Sequence, residues 1–218
     1  MGLFESAGSA NANFTGNYAK PGQYILIINA AKYKEKTFKS GESGIFECTV
    51  VHVIDKMLWT GDPKQVPTGK DNQHLLNLPG EEYKPGNPCS LVFPDRLVGN
   101  DTRLRKIIIT AYDVKDEQFP KGPEGAERVK YVFNEAAQPL KNVMIEVRAG
   151  ETMKKDKEKI IGVNYLRRVY AEEIRQMWEA GKLEQATIDL LSKDNRLQKM
   201  LEMEAQEKAN REALAAKK

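Results

Sequence analysis

The stretch that decides the fold is Lys141–Val169, KNVMIEVRAGETMKKDKEKIIGVNYLRRV. Over Val143–Ala149, the apolar residues at positions 143, 145, 147 and 149 fall on one face of an extended chain, which is the period of a half-buried strand. Ile160–Val169 is rich in β-branched and aromatic residues, and the segment ETMKKDKEK between the two runs has the composition of a hairpin tip in water. The stretch therefore predicts two antiparallel strands joined by a lysine-rich turn.

This predicted hairpin concentrates positive charge. Its cations are Arg148, Lys154, Lys155, Lys157, Lys159, Arg167 and Arg168, and Tyr165 lies among them. Lysine and arginine neutralise phosphates, and an exposed ring stacks on bases, so the pattern is typical of a site for a single nucleic-acid strand. An ordinary solvated hairpin also carries lysines, and the pattern alone leaves that alternative open.

The composition is that of a globular protein. The chain has 218 residues, of which 40% are hydrophobic and 30% charged, and a formal net charge of only +3. Nucleic-acid binding must therefore depend on where the charge lies rather than on its sum. No apolar run approaches the roughly 20 residues of a membrane helix, and we expect a cytoplasmic protein (the host cytoplasm, if the chain is viral) with no membrane partner.

The chain divides into three predicted parts. Residues 1–19 are small and polar and predict a flexible arm, 20–169 form the β-rich domain, and 170–218 form a helical tail. A long loop insertion rich in glycine and proline occupies 56–88. Within the domain we predict a short third strand at Cys89–Phe93 and helices at 102–114 and 127–137. In the tail we predict a helix at 170–180 that stops at Gly181.

The first strand, which begins after Pro21-Gly22, is apolar on both faces near its start. One predicted face carries Tyr24, Leu26, Ile28 and Ala30, and the other carries Ile25, Ile27, Ala31 and Tyr33. A strand of this kind is either covered on two sides or bent around a barrel. The next run, IFECTVVHVID, is long enough to pair with it in antiparallel fashion.

Five strands with a helix between the third and fourth have the connectivity of an oligonucleotide-binding (OB) barrel. We therefore predict a mainly β fold with α, a five-stranded OB-like barrel followed by a C-terminal helical extension. A small open sheet with helices on one face is the alternative, because the order of elements alone does not separate the two.

Three segments carry a family resemblance: KPGQYILIINAAKYK, GIFECTVVHV and the hairpin stretch. They resemble the bacteriophage single-stranded DNA-binding proteins of OB type, with matching positions at Pro21, Gly22, Tyr24, Phe46, Val143, Val147, Val163, Asn164 and Tyr165. The resemblance covers most of residues 20–169 and implies cooperative coating of single-stranded DNA in phage replication or recombination. Many such proteins have an acidic tail, whereas the last residues here are Ala-Ala-Lys-Lys, so the resemblance does not extend to recruitment through such a tail.

The candidate binding residues are cations and aromatic rings. For backbone phosphates we predict Lys32, Lys34, Lys36, Lys39, Arg148, Lys154, Lys155, Lys157, Arg167 and Arg168. For stacking on bases we predict Tyr33, Phe38, Trp59 and Tyr165. Core packing is the competing interpretation of each ring, and Tyr165 is favoured for stacking because its neighbours Asn164 and Arg167 are polar.

Nothing in the sequence predicts an enzyme. The two histidines have no recognisable nucleophile as partner, and Cys48, Cys89, His52 and His74 lack zinc-ligand spacing. We expect no cofactor and no metal. The expected partner is single-stranded DNA, together with a second copy or replication proteins at the C-terminal helices. The alternative function is a structural or assembly protein of a virus particle, with a β-barrel core and helical arms.

Overall fold

The computed structural model describes residues 20–34, 42–56, 82–94, 100–153 and 159–215. Short 3₁₀ turns lie at Asp116–Gln118 and Lys193–Asn195. The strands and helices, in chain order, are β1 (Gly22–Lys34), β2 (Ser43–Lys56), β3 (Pro88–Pro94), α1 (Asn100–Tyr112), α2 (Gly122–Val132), β4 (Met144–Met153), β5 (Lys159–Val169), α3 (Ala171–Glu179), α4 (Gln185–Ser192) and α5 (Arg196–Ala215).

The five strands form one antiparallel sheet in the order β3-β2-β1-β4-β5. The predicted strand count, and helices between β3 and β4, are confirmed. The sheet is open, because the described residues of β3 and β5 stand at its two ends and do not pair. The predicted closed OB barrel is therefore not confirmed, and the fold is an antiparallel sheet with helices.

β1 is buried on both faces, as its double apolar pattern predicts. Tyr24, Leu26 and Ile28 belong to a core on the first face of the sheet, which α1 and α2 cover. Ile25 and Ile27 belong to a separate core on the second face, which α3, α4 and α5 cover. A strand between two helical layers has no solvent-facing side over these positions, which explains its continuous apolar run.

A bulge at Asn29 changes the predicted face assignment further along β1. Ile28 pairs with Cys48, whereas Ala30 already pairs with Glu47, so one extra residue is accommodated in β1. Ala31 therefore joins the first-face core with Ile28, at 2% exposure, in place of the predicted Ala30. Since the alternation resumes after the bulge, the residues beyond Ala31 are shifted in the same way.

The C-terminal helices pack on the sheet. Ile174 of α3, Leu191 of α4 and Met200 of α5 are fully buried in the second-face core. The Thr187 hydroxyl donates a 2.6 Å hydrogen bond to the Val51 carbonyl, and the Glu204 carboxylate accepts 2.9 Å bonds from the Ala171 amide at the start of α3. These helices thus share a hydrophobic core with β1 and β4, and their service as an interaction module stays a prediction.

The helix predictions differ in accuracy. The helix predicted at 102–114 is observed at Asn100–Tyr112, and the predicted glycine stop after α3 is confirmed at Gly181, whose φ is +65°. The helix predicted at 127–137 is wrong in its bounds, because the observed helix is Gly122–Val132. Pro123 in its first turn favours this earlier start. None of the described helices is long and apolar enough to cross a membrane.

Candidate nucleic-acid interface

The predicted basic hairpin projects past the body of the sheet. The pairing of β1 with β4 ends at Gly22 and Ala149, whereas β4 and β5 continue to pair from Gly150↔Gly162 to Met153↔Lys159. Within the part of the chain that the structure describes, the two strands therefore run on as a ribbon without a third strand beside them. The connection between them, 154–158, contains Lys154, Lys155 and Lys157, which lie outside the described residues.

Arg148 is the exposed cation at the base of this ribbon. It lies opposite Asn164 on β5, and both residues are exposed. Arg148 takes part in none of the ion pairs found among the described residues. Its guanidinium is therefore accessible at the surface, and its contact with a phosphate stays a prediction.

Arg167 is engaged with two carboxylates. Its Nε lies 2.8 Å from Glu146 Oε2, and its Nη1 lies 2.7 Å from Glu173 Oε2. Glu146 is 9% exposed and also accepts a hydrogen bond from the Gln23 amide. The network joins β1, β4, β5 and α3, so most of the charge of Arg167 is satisfied within the protein.

Arg168 is inaccessible, which contradicts its predicted place on an exposed basic ribbon. It is 4% exposed, its Nη2 lies 2.9 Å from Glu207 Oε2, and its guanidinium lies 5.0 Å from the centre of the Tyr170 ring. The physical reason is strand alternation: Arg167 and Arg168 are adjacent on β5 and so point to opposite faces. Arg168 faces α5 instead of solvent.

Tyr165 is also buried, at 7% exposure, and the expectation of an exposed ring is wrong. It lies opposite Val147 in the first-face core, with its ring centre 6.1 Å from that of Phe93. Burial raises the pKa of its hydroxyl. Its polar neighbour Asn164 misled the prediction, because the residue next to it in a strand lies on the other face.

A second predicted group lies at the far end of β1. Lys32 forms a 2.8 Å ion pair with Glu47, Tyr33 is 43% exposed, and Lys34 is partly buried. Lys36, Phe38, Lys39 and Trp59 lie outside the described residues. Arg148 lies opposite Gln23 of β1, and Lys32 lies nine residues further along the same strand. At about 3.3 Å per residue, the two positions are roughly 30 Å apart. The described candidates thus form two groups, not one.

Beside Tyr33 lies a groove that the sequence did not reveal. Its volume is about 460 Å³, and it runs between the Tyr33 end of the sheet and helices α1 and α2. Its walls combine rings, aliphatic side chains and a polar rim: Tyr33, Glu42, Ser43, Gly44, Phe93, Asp101, Leu104, Val129, Lys130 and Phe133. Tyr33 was predicted as a contact, but Phe93 and Phe133 carry no sequence signal that separates them from core residues.

Cys48 and Cys89 face each other across β2 and β3. Both thiols are free and buried, and burial raises the pKa of Cys89 to about 12 and that of Cys48 well above its ordinary value. Such thiols remain protonated at neutral pH and pack as apolar side chains. Among the residues that the structure describes, no three His, Cys, Asp or Glu side chains converge as a metal site.

No protein-family model matches the chain, and no curated sequence matches it.

Proposed function

We propose that this protein is a sequence-tolerant, non-enzymatic single-stranded DNA-binding protein of OB type that acts in phage replication or recombination. The observation that carries the proposal is the β4–β5 ribbon, which extends past the sheet and ends in a connection containing Lys154, Lys155 and Lys157. A projecting basic ribbon can follow a flexible backbone, because each lysine neutralises a phosphate without reading a base.

The order of strands supports the OB element of the proposal. An OB barrel is a five-stranded, partly open barrel that binds oligonucleotides through strands 2 and 3 and through the loops after β1 and β4. Here the helices likewise fall between β3 and β4, and Phe93 on β3 touches Tyr165 on β5, so the two ends of the sheet curl toward each other. We interpret the fold as an open form of that barrel.

The positions of the cations define the proposed contacts. Arg148 and the lysines of the 154–158 connection form the main site, with Lys32 and Lys34 as a second group next to the β1–β2 connection, where Lys36 and Lys39 lie in sequence. Arg167 and Arg168 are left out of direct contact, since carboxylates of α3 and α5 already pair with them. Surface ion pairs contribute little, so the pairing of Lys32 with Glu47 does not exclude a phosphate contact.

The proposal is tested by fluorescence polarisation of a labelled oligo-dT titrated with the full-length protein at low salt, followed by competition with unlabelled duplex. Saturable binding that duplex displaces poorly supports the function. No binding at low salt overturns it.

A second candidate function, a structural or assembly protein of a virus particle, is favoured by one observation. Among the described strands β5 stands at an end of the sheet, with Leu166 46% exposed, and an open edge with an apolar side chain is a template for pairing with another copy. Light scattering distinguishes the two candidate functions, because an assembly protein requires stable self-association in the absence of DNA.

A further inference from the structure

We propose that the groove beside Tyr33 is a nucleobase-binding site that prefers bases bearing an exocyclic amino group. The inference rests on the proposed function and deepens it, because it adds a position of partial base selectivity to a protein whose remaining contacts go to phosphates.

The groove presents preformed aromatic surface. Phe93 and Phe133 line it at 5% and 9% exposure, and both rings pack on Phe46, with ring centres 5.9 and 5.4 Å from its own. Tyr33, at 43% exposure, supplies a ring on the solvent side. Fixed rings with an accessible one beside them suit a planar ligand, since stacking needs a flat π surface and little rearrangement.

Gly44 keeps the groove open. A Cβ at this position would stand 2.8 Å from Cζ of Phe133, so any side chain here would force that ring to move. The backbone of β2 therefore approaches the Phe133 ring closely, and no side chain projects from β2 across it at this point.

The polar side chains at the rim of the groove discriminate between different bases. Glu42 and Asp101 contribute carboxylates to the groove, while Lys130 is held 2.7 Å from Glu127. Carboxylates accept hydrogen bonds from the exocyclic amino groups of cytosine, adenine and guanine, whereas the one N–H donor of the thymine base lies between two carbonyl oxygens that a carboxylate repels. Two carboxylates also repel phosphates, so only the base of a strand is expected to enter.

Lysines near Tyr33 could contact the phosphates of a bound nucleic-acid strand. Lys32 and Lys34 flank Tyr33 in β1, and strand alternation places them on the opposite face from its ring. A nucleotide crossing this end of the sheet can therefore place its base against Tyr33 and its phosphate toward the lysines. This arrangement favours a nucleotide over an uncharged aromatic ligand or an acidic peptide.

The test compares labelled dC and dT oligonucleotides of equal length at pH 7.5, using the full chain and four variants. Tyr33→Ala is expected to weaken dC binding by about tenfold, the low end of what one stacked base contributes, and Tyr33→Phe to restore it. The matched control is Tyr131→Ala, a 53% exposed tyrosine of α2 that does not line the groove. The double variant Glu42→Gln, Asp101→Asn should bring the dC-to-dT affinity ratio close to one.

Each outcome is decisive. If the wild type binds but Tyr33→Ala matches Tyr131→Ala, or if dC and dT bind equally before any substitution, the nucleobase site is wrong while the proposed function stands. If the wild type binds neither oligonucleotide, the proposed function fails and the inference fails with it.

Discussion

The ring of Phe93 on β3 lies 6.1 Å from the ring of Tyr165 on β5, although these strands stand at opposite ends of the sheet. A flat sheet would hold these two strands four spacings apart, or about 19 Å at about 4.8 Å for each spacing. The sheet is therefore strongly curled, and this contact joins its two ends over the first-face core.

Removing the Tyr165 ring should destabilise the protein. Tyr165→Ala leaves a cavity in the first-face core, and we expect a loss of about 3 kcal/mol or more in the free energy of unfolding, measured by urea denaturation. Tyr131→Ala, at an exposed ring, should change it by less than about 0.5 kcal/mol. Normal stability of the Tyr165 variant would contradict its buried position.

Alanine substitutions of Arg148 and Arg168 should have different effects, the first on DNA binding and the second on stability. Arg148 is exposed, so Arg148→Ala should weaken oligo-dT binding severalfold and leave the unfolding free energy unchanged. Arg168→Ala breaks a buried ion pair and should cost roughly 2 kcal/mol of stability, less than for a fully enclosed pair because the Glu207 side chain is 35% exposed. Loss of binding by a stable Arg168 variant would instead place this residue at the site.

The lysines of the β4–β5 connection should carry much of the salt dependence. Replacing Lys154, Lys155 and Lys157 with alanine removes up to three phosphate contacts, and the log-log slope of affinity against salt should become shallower by about 2. The matched control replaces three exposed lysines of the C-terminal helical region, Lys193, Lys199 and Lys208. Equal effects of the two triple variants would show that only net charge matters.

Acid should destabilise the protein through His52. Burial lowers the pKa of His52 below 6.5, with Glu184 partly opposing the shift, and no described residue hydrogen-bonds its buried Nδ1. The unfolded chain then binds a proton more readily than the folded one, so stability is full above pH 6.5 and falls as pH drops toward the folded pKa. The variant His52→Asn should lose this part of the pH dependence, which denaturation at pH 7.5 and 5.5 measures. An identical pH dependence in both proteins would show that His52 does not cause it.

Local periodicity predicted much of the fold. The two-sided apolar run of β1, the alternation of β4 and the glycine stop at Gly181 each depend on neighbours in sequence, and all are observed. The bulge at Asn29 was not predictable, because it depends on which residue of β2 pairs with Ala30. The open sheet likewise depends on whether β3 and β5 meet.

The candidate site was harder to predict, since exposure is a tertiary property. Arg148, Arg167 and Arg168 look alike in sequence, yet one is exposed, one is paired with carboxylates of β4 and α3, and one is buried against α5. Glu207 is far from Arg168 in sequence, so no local sequence pattern predicts their ion pair. Phe93 and Phe133 similarly come to line one groove with Tyr33 only in the folded protein.

The most direct test of the central claim is the affinity of the full-length protein for labelled oligo-dT across a salt series. A ribbon that neutralises three or more phosphates predicts tight binding at low salt and a log-log slope of about −2 or steeper, at roughly −0.7 for each phosphate. Absence of binding at the lowest salt, or an affinity that does not change with salt, would contradict the assignment of the β4–β5 ribbon as a single-strand interface.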